Sequence, residues 1–518
     1  MIRLEVRKNS YYDSVTLMLI SKEVKNVEGV VDVLVGMGTE LNKELSENLG
    51  LGSPELKEVS PNDFFVTAEI ENEAVMAEVI KKVDELLNEK KTSSGSDFKP
   101  ATLKSAMEMM PDANMAVVSI AGQYAEEEVD RLLDQDLNVM LFSDNVSVEA
   151  ELKLKKKAVE KGLLMMGPDC GTAIINGIPL AFANVVKKGP IGIVGASGTG
   201  TQEVSAMIDK LGSGCSQVIG TGGRDLKSEI GGLMMIQGFD ALVRDPETKV
   251  IVLISKPPAP EVAEKILKKV AETDKPVVVD FIGGDMEAIK KSGAVPCLTL
   301  EDTAYKAVAL AKGNEPVDFV GFSQEISEID QLVADKVGNL KPEQKNFRGL
   351  YTGGTLADEA MKMLGQTIEG IYSNIPLSPE YAIENLSEVT GHVCLDLGED
   401  QFTVGRPHPM IDPSTRADRF KTDIDDSVAV ALMDVVIGYG SHEDPAGELA
   451  KSIREIKKNL KNQVVFVASI TGTEGDPQDL KHSQKVLEDE GVVVMPSNAQ
   501  AVRFVQKVMN HVLAKEAK

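Results

Sequence analysis

The sequence predicts an α/β chain. Tandem parallel-sheet domains, Rossmann-like or flavodoxin-like in type, follow a small α+β unit. Three observations carry that prediction. From about residue 100 onward, short apolar runs alternate with amphipathic stretches, the pattern of a parallel sheet covered on both faces. Four landmarks recur in the same order in two parts of that region. A Ser/Gly stretch, KTSSGSDFKP, separates it from the first 90 residues.

Residues 1–90 read β-α-β-α-β-α. RLEVR, GVVDVLVGMG and DFFVTAEI are strands, and the last of them alternates. YYDSVTLMLISKEV, TELNKELSENLG (stopped by Gly50) and ENEAVMAEVIKKVDELLNEK are helices. This is a small ferredoxin-like α+β unit. Residues 100–188 read as a short α/β segment with strands NMAVVSIAG and LNVMLFSDN, each followed by a helix, and LLMMGPDCG closes it. Residues 189–315 are a second α/β unit, with strands GPIGIVG, SQVIGTGG, KVIVLISK and KPVVVDFIGGD separated by helices. Residues 316–345 are acidic and polar and read as a connector. Residues 346–518 repeat the pattern: FRGLYTGGTLADEAMKML matches PIGIVGASGTGTQEVSAMI, HVCLDLGED matches SQVIGTGGRD, VVIGYGSHEDPAGELA matches VLISKPPAPEVAEK, and NQVVFVASITGTEGD matches KPVVVDFIGGD. The order is kept while the offset grows, as insertions in one copy of a duplicated domain require.

The bulk numbers narrow the function. The chain has 518 residues, 42% hydrophobic and 26% charged, with a formal charge of −26. That balance excludes nucleic acid and anionic membrane surfaces as expected partners, since both need basic patches. It leaves room for a small anionic substrate, which a few backbone N–H groups and one or two Arg can hold. Cys170, Cys215, Cys297 and Cys394 are far apart, without CxxC or zinc spacing, so no metal site is expected and they read as buried thiols of a cytoplasmic protein. No signal peptide or membrane span is expected.

Two glycine-rich turns occupy equivalent places in the repeat, each between a strand and a helix. One is Ser197-Gly198-Thr199-Gly200 and the other Thr352-Gly353-Gly354-Thr355. Helix N-termini carry unpaired N–H groups and a partial positive charge, and glycine lets a ligand approach the backbone. Each such contact with an anion is worth about 0.3–1 kcal/mol when exposed and up to about 2 when partly buried. Two turns from duplicated domains can face one another across one phosphate. Neither turn has the Gly-Lys-Ser/Thr of a P-loop or the acidic residue of a dinucleotide fingerprint. The bland alternative is capping alone, because Ser and Thr are good N-caps.

The stretch GRPHPMIDP, Gly405 to Pro413, is an insertion after the second strand of the repeat. Open α/β sheets place ligands at such C-terminal strand edges. Two prolines stiffen the loop around His408. Arg406 suits an anion through its planar fork. His408, with an ordinary pKa near 6.5, suits proton transfer or polarisation of a carbonyl, and Asp412 would orient either. His442 in GSHEDP competes for the catalytic role, and Arg224 in GGRD would add a second positive group. Asp423, Asp425 and Asp426 read as a solvated acidic turn rather than a cation site. The run KLKKKAVEK, 153–161, reads as a solvated helix face, with CoA phosphates its competing partner.

GPDCG (167–171), GPIGIVGASGTGTQE (189–203) and TGGRDLKSEIGG (221–232) resemble the succinyl-CoA synthetase α-subunit superfamily. More closely, SDNV, MGPDCGTAI, GIPLAFANV, SKPPA, GLYTGGTLA, TVGRPHPMIDP, DVVIG and TGTE resemble the FdrA family, over about residues 100–510. The resemblance implies a truncated CoA-binding-like segment at 100–188, an α-type ligase domain at 189–315 and a β-type ligase domain at 346–518. It implies a phosphate cradle from Ser197, Gly198, Thr199, Gly200, Thr352, Gly353, Gly354 and Thr355. Three departures stand out: Met1 through Gly391 contains no histidine to carry a phosphoryl group, the ATP-grasp domain is missing, and the first βαβ of the CoA-binding domain is replaced. The family further implies a subunit of an oxamate carbamoyltransferase of purine and allantoin catabolism, converting oxalurate and phosphate to oxamate and carbamoyl phosphate. It implies companion subunits and no certain cofactor. An acyl-CoA ligase that binds CoA and a scaffold subunit without chemistry are the rival expectations.

Overall fold

The computed structural model describes every residue except 11, 13, 93–99, 101, 517 and 518. Most of the expected linker therefore lies outside the described residues. The chain divides into two compact units, one of Met1–Ala113 with Asp400–Pro407, the other of Asn114–Glu399 with His408–Lys518.

In the first unit, β1 (Ile2–Arg7), β2 (Val30–Met37) and β3 (Phe64–Ile70) form an antiparallel sheet in the order β1-β3-β2. Helices Ser14–Val24 and Glu73–Thr92 bury Leu17, Ile20, Val79 and Val83 against Val33, Val35, Phe64 and Val66. Alternation puts Leu34 and Phe65 on the other face, where Leu51, Leu56 and Val59 cover them. The expected α+β unit is present with its elements in order. Its sheet has three strands, where a complete β-α-β-β-α-β arrangement has four.

The second unit holds three sheets. β4 (Met115–Val118), β5 (Asn138–Leu141) and β6 (Met165–Met166) are parallel. β7 (Thr172–Ile175) and β8 (Ile178–Ala181) form a hairpin that joins the next sheet through the strand Cys215–Gly220. That hairpin follows GPDCG and crosses the boundary expected near residue 188. The next sheet adds β9 (Lys188–Gly195), β10 (Cys215–Gly220), β11 (Val250–Ser255), β12 (Val277–Phe281) and β13 (Val295–Pro296), in the order β13-β12-β11-β9-β10-β7-β8. The third contains β14 (Asn346–Tyr351), β15 (Ile371–Tyr372), β16 (His392–Asp396), β17 (Val428–Val436), β18 (Val465–Thr471) and β19 (Val493–Met495), in the order β15-β16-β14-β17-β18-β19.

Five strands of each large sheet thus run in one topological order, 2-1-3-4-5, the flavodoxin-like arrangement. β9 corresponds to β14 and β10 to β16. Such sheets bind ligands where neighbouring connections diverge, outside the carboxyl ends of the strands. Both glycine-rich turns follow the first strand, at that point.

The two sheets share one apolar core. Ile191, Val204, Val252, Leu300 and Ala304 belong to the same buried cluster as Phe347, Tyr351, Leu356, Val430, Val502 and Phe504. The connector expected at 316–345 also feeds it. Helix Ile326–Val337 buries Ile329, Val333 and Val337, spaced by four along one face. Polar composition hid those three positions.

A reciprocal contact fixes the domains in register. Glu203, the sixth residue of helix Gly198–Lys210, accepts from Asn498 N at 3.1 Å, at the start of the last helix of the other domain. Glu359, the sixth residue of helix Gly354–Leu364, accepts from Leu300 N at 2.7 Å, at the start of the last helix of the first. Each repeat caps the other's final helix, a pseudo-twofold exchange of orphan N–H groups.

Candidate functional site

The two turns meet. β9 ends at Gly195 and Ser197 caps helix Gly198–Lys210, its hydroxyl accepting from Gly200 N at 3.0 Å. β14 ends at Tyr351, and helix Gly354–Leu364 follows Thr352 and Gly353. The Ser197 and Thr355 hydroxyls lie 2.6 Å apart. A Cβ on Gly353 would stand 2.6 Å from Thr199 Cγ2, and one on Gly200 would stand 2.9 Å from Thr355 Cγ2. Two helix N-termini therefore face each other at contact distance, as the repeat predicts, with two of their glycines where side chains would collide.

The turns are not chemically alike. Asp434, fully buried on β17, accepts from Thr352 N at 2.8 Å and Thr352 Oγ1 at 2.9 Å. Arg416 answers it with Nη1 at 3.1 Å. Burial pushes the Asp434 carboxyl above the usual range, against the pull of Arg416. Asp396 ends β16, and a Cβ on Gly354 would lie 2.1 Å from its Oδ2 and 3.6 Å from Lys256 Nζ. Lys256, just past β11, pairs with Asp358 at 2.9 Å. Among the residues named for the first turn there is no carboxylate.

His408 comes to the same place. A Cβ on Gly398 would lie 2.6 Å from His408 Nε2, 3.0 Å from Thr352 O and 3.2 Å from Asp396 Oδ1. His408 Nδ1 accepts from Met410 N at 3.2 Å, which puts the proton of the neutral ring on Nε2. Phe182 packs on the ring with centroids 5.8 Å apart. Burial drives the pKa of His408 down to about 4. That corrects the expectation of an ordinary imidazole: at neutral pH it is a fixed donor rather than a proton shuttle. Asp412 is buried beneath the loop and accepts from Ser414 N at 3.1 Å, while its own N–H bonds to His408 O at 3.0 Å. His442 donates its N–H to Met410 O at 2.7 Å, and its Nδ1 accepts from Asp444 N.

Arg406 is exposed and belongs to the unit of Met1–Ala113, so its role as an anion ligand rests on the sequence alone. Arg224 is a correction. Its guanidinium bonds Val146 O at 2.7 Å and pairs with Glu151 at 2.9 Å, a structural task. The lysine run is a second correction. Lys155 is fully buried, bonded to Glu151 at 2.8 Å, Asp225 at 2.8 Å and Thr221 O at 2.9 Å. Lys153, Lys157 and Lys161 pair with Glu126, Asp130, Asp134 and Asp136. Burial of one lysine in so charged a run leaves no signature in helical periodicity. Asp423 pairs with Arg419, and Asp426 accepts from Lys461 N and Asn462 N, so the DIDD turn is structural. All four cysteines are buried free thiols. No helix among the described residues is long and apolar enough to cross a membrane.

Asp396, Asp434, Arg416 and Lys256 escaped the sequence reading. Strand register offers the one usable signal. Asp396 pairs with Tyr351 as Gly220 pairs with Gly195, so a carboxylate stands at the end of the second strand where the first repeat has glycine.

Comparison with known proteins follows these domains. A CoA-ligase model matches residues 350–508, a CoA-binding domain model residues 186–283, and a model of the AllF heavy metal-associated domain residues 1–105. The last stretch contains neither Cys nor His, so it lacks the thiolate and imidazole ligands that soft metals take. The uncharacterized protein YahF of Escherichia coli K12 is 43% identical over 505 residues, 96% of each chain. A succinate–CoA ligase (ADP-forming) alpha subunit of Archaeoglobus fulgidus is 31% identical over 173 residues, 32% of this chain and 58% of that one. The sulfoacetate-CoA ligase subunit SqwL of Acholeplasma is 31% identical over 155 residues, 28% of this chain and 50% of its own. The chain thus spans little more than half the length of these ligase subunits. Among solved structures, ATP citrate lyase of Methanothrix soehngenii, in complex with citrate and coenzyme A, is 13% identical, covering 80% of this chain and 85% of that one at a TM-score of 0.34.

Proposed function

This chain belongs to the same family as YahF, within the succinyl-CoA synthetase-like superfamily, and we propose that it is the phosphate-binding subunit of a carbamoyltransferase, converting oxalurate and phosphate to oxamate and carbamoyl phosphate. One observation carries the reading: two helix N-termini from duplicated ligase-type domains close on each other at the 2.6 Å contact of Ser197 and Thr355. That is a cradle for one tetrahedral anion. The ligases of this superfamily hold an acyl phosphate in such a cradle, and carbamoyl phosphate is a mixed anhydride of the same kind. The first histidine of the chain is His392, whose Nδ1 accepts from Phe347 N on β14. A reaction needing neither nucleotide nor phosphohistidine suits what remains. The AllF-type match of the first unit supports placing it in allantoin breakdown.

The roles follow from the geometry. Ser197, Gly198, Thr199 and Gly200, with Gly354 and Thr355, hold phosphate through backbone N–H groups and hydroxyls. His408 Nε2–H polarises the carbamoyl carbonyl, as a neutral donor whose low pKa keeps it so. Companion subunits complete the enzyme.

CoA-dependent acyl-phosphate ligation is the second reading, favoured by the CoA-binding match. The lysine run does not serve it, since four of its lysines are spent on acidic partners. The test is to incubate the chain and its companion subunits with oxalurate and phosphate and follow carbamoyl phosphate. Formation of product, lost in His408→Ala, is the expected result. No product from the native enzyme, together with CoA bound in calorimetry, would overturn carbamoyl transfer in favour of the ligase reading.

A further inference from the structure

The cradle is built from a repeat, yet its two sides carry different charge. The turn at Ser197–Gly200 presents hydroxyls and N–H groups. The turn at Thr352–Thr355 has Asp396 against Gly354 and Asp434 on Thr352. A dianion beside two carboxylates is unfavourable unless at least one carries a proton.

Asp434 is accounted for, with Thr352 and Arg416 as its partners. Asp396 is different. It is 4% exposed, and its backbone is clamped by Asn374, which accepts from Asp396 N at 3.0 Å and donates to Asp396 O at 2.8 Å. Oδ1 accepts from Gly398 N at 2.9 Å, while Oδ2, the oxygen over Gly354, accepts nothing from the described residues. A rigidly held carboxyl, anchored through Oδ1, thus turns its other oxygen toward a helix N-terminus. The opposite repeat has Gly220 in its place.

We propose that the two sides of the cradle differ in function: both turns hold the phosphate, and on the acidic side Asp396 is the catalytic acid that gives a proton to the departing amide nitrogen. This rests on the carbamoyl-transfer reading above. A phosphate oxygen forms a bond to the carbamoyl carbon of oxalurate. The bond from that carbon to the amide nitrogen breaks, and its electron pair stays on nitrogen. The proton of Asp396 goes to that nitrogen to give oxamate, and the proton of hydrogen phosphate returns to Asp396. Charge and atoms balance, with no further reactant. His408 Nε2–H stands beside Asp396 to hold the carbonyl oxygen as charge develops there.

The surroundings suit an acid that works near neutrality. Burial raises the Asp396 pKa to about 7, with Glu399 and Asp434 adding to the rise and Lys256 opposing it. Asp358 engages Lys256, and His408, neutral at this pH, adds no charge. A group matched to the working pH transfers protons most efficiently.

The experiment uses the native enzyme with its companion subunits and Asp396→Asn in the same complex. Carbamoyl phosphate formation is followed from about pH 5.5 to 8.5, and sulfate, a dianion throughout, is titrated by calorimetry as the probe of the cradle. Native turnover is expected to fall as pH rises through about 7, and D396N to lose about 100-fold or more in turnover. Sulfate affinity of the native chain is expected to weaken over the same range, as the ionised carboxylate repels it, and that of D396N to stay level. Retained sulfate binding shows that the cradle of D396N is intact. Asp396→Glu guards against a folding defect: transfer with a displaced pH profile supports the assignment, and an unaltered profile overturns it. D396N turnover within about threefold of native, or equal pH responses of sulfate binding in both chains, would overturn the proposal alone. A native enzyme that makes no carbamoyl phosphate would bring down the carbamoyl-transfer reading itself, and the proton donation with it.

Discussion

Gly353→Ala is the sharpest probe of the cradle, because it adds one methyl group at the contact between the turns. The backbone there is extended, with φ −122° and ψ 110°, so alanine brings no conformational strain. The new Cβ would lie 2.6 Å from Thr199 Cγ2, 2.7 Å from Oγ1 and 2.8 Å from Cβ. An ordinary carbon contact is about 3.5–4 Å, so the turns must part by about 1 Å. Overpacking of that kind costs about 1–3 kcal/mol. At about 2–4 °C per kcal/mol for large domains, the melting temperature should fall by a few degrees. A displacement of about 1 Å at a reacting centre costs about 100-fold in rate. The assay pairs a thermal melt with phosphate calorimetry and turnover. Gly223→Ala is the control, since its Cβ would meet nothing within 4 Å and its φ is not positive. If G353A and G223A melt together and bind phosphate equally, the facing of the two turns is not what builds the site.

Other consequences concern the scaffold. Lys155→Met is expected to destabilise by about 3–5 kcal/mol, because it leaves Asp225 buried without its cation and Glu151 with Arg224 alone, and chemical denaturation measures it. Glu359 is a pH reporter. Burial raises its pKa to about 8, so the stability of its neutral form is complete below the unfolded value near 4.5 and is lost as pH rises through about 8. Glu359→Gln should flatten the fall in melting temperature over that window, though Asp280 and Asp396, each raised to about 7 by burial, keep part of the slope.

Much of the architecture was legible because parallel sheets write it locally. Strands such as VIVLIS and VVVDF, buried on both faces, are continuous apolar runs, and the helices between them show their stripes. The duplication was visible as the recurrence of turn, strand and helix landmarks, and strand order then made the two halves topologically equivalent. Both glycine-rich turns were legible for the same reason: backbone approach and capping need particular residues at particular places.

What the sequence by itself determined, then, is the succession of elements, the repeat, and the two turns that repetition makes equivalent. What only the tertiary structure decided is charge. Lys155 and Arg224 look alike in sequence as cations available to an anion, and folding commits both to Glu151. His408 is an ordinary histidine until burial holds it neutral. Asp396 is one acid among many until β16 ends beside Gly354 and turns one of its oxygens toward that helix N-terminus. Periodicity is a property of neighbours along the chain. Desolvation and partnership are properties of neighbours in space, brought together from separate elements of the chain, and no local pattern records them.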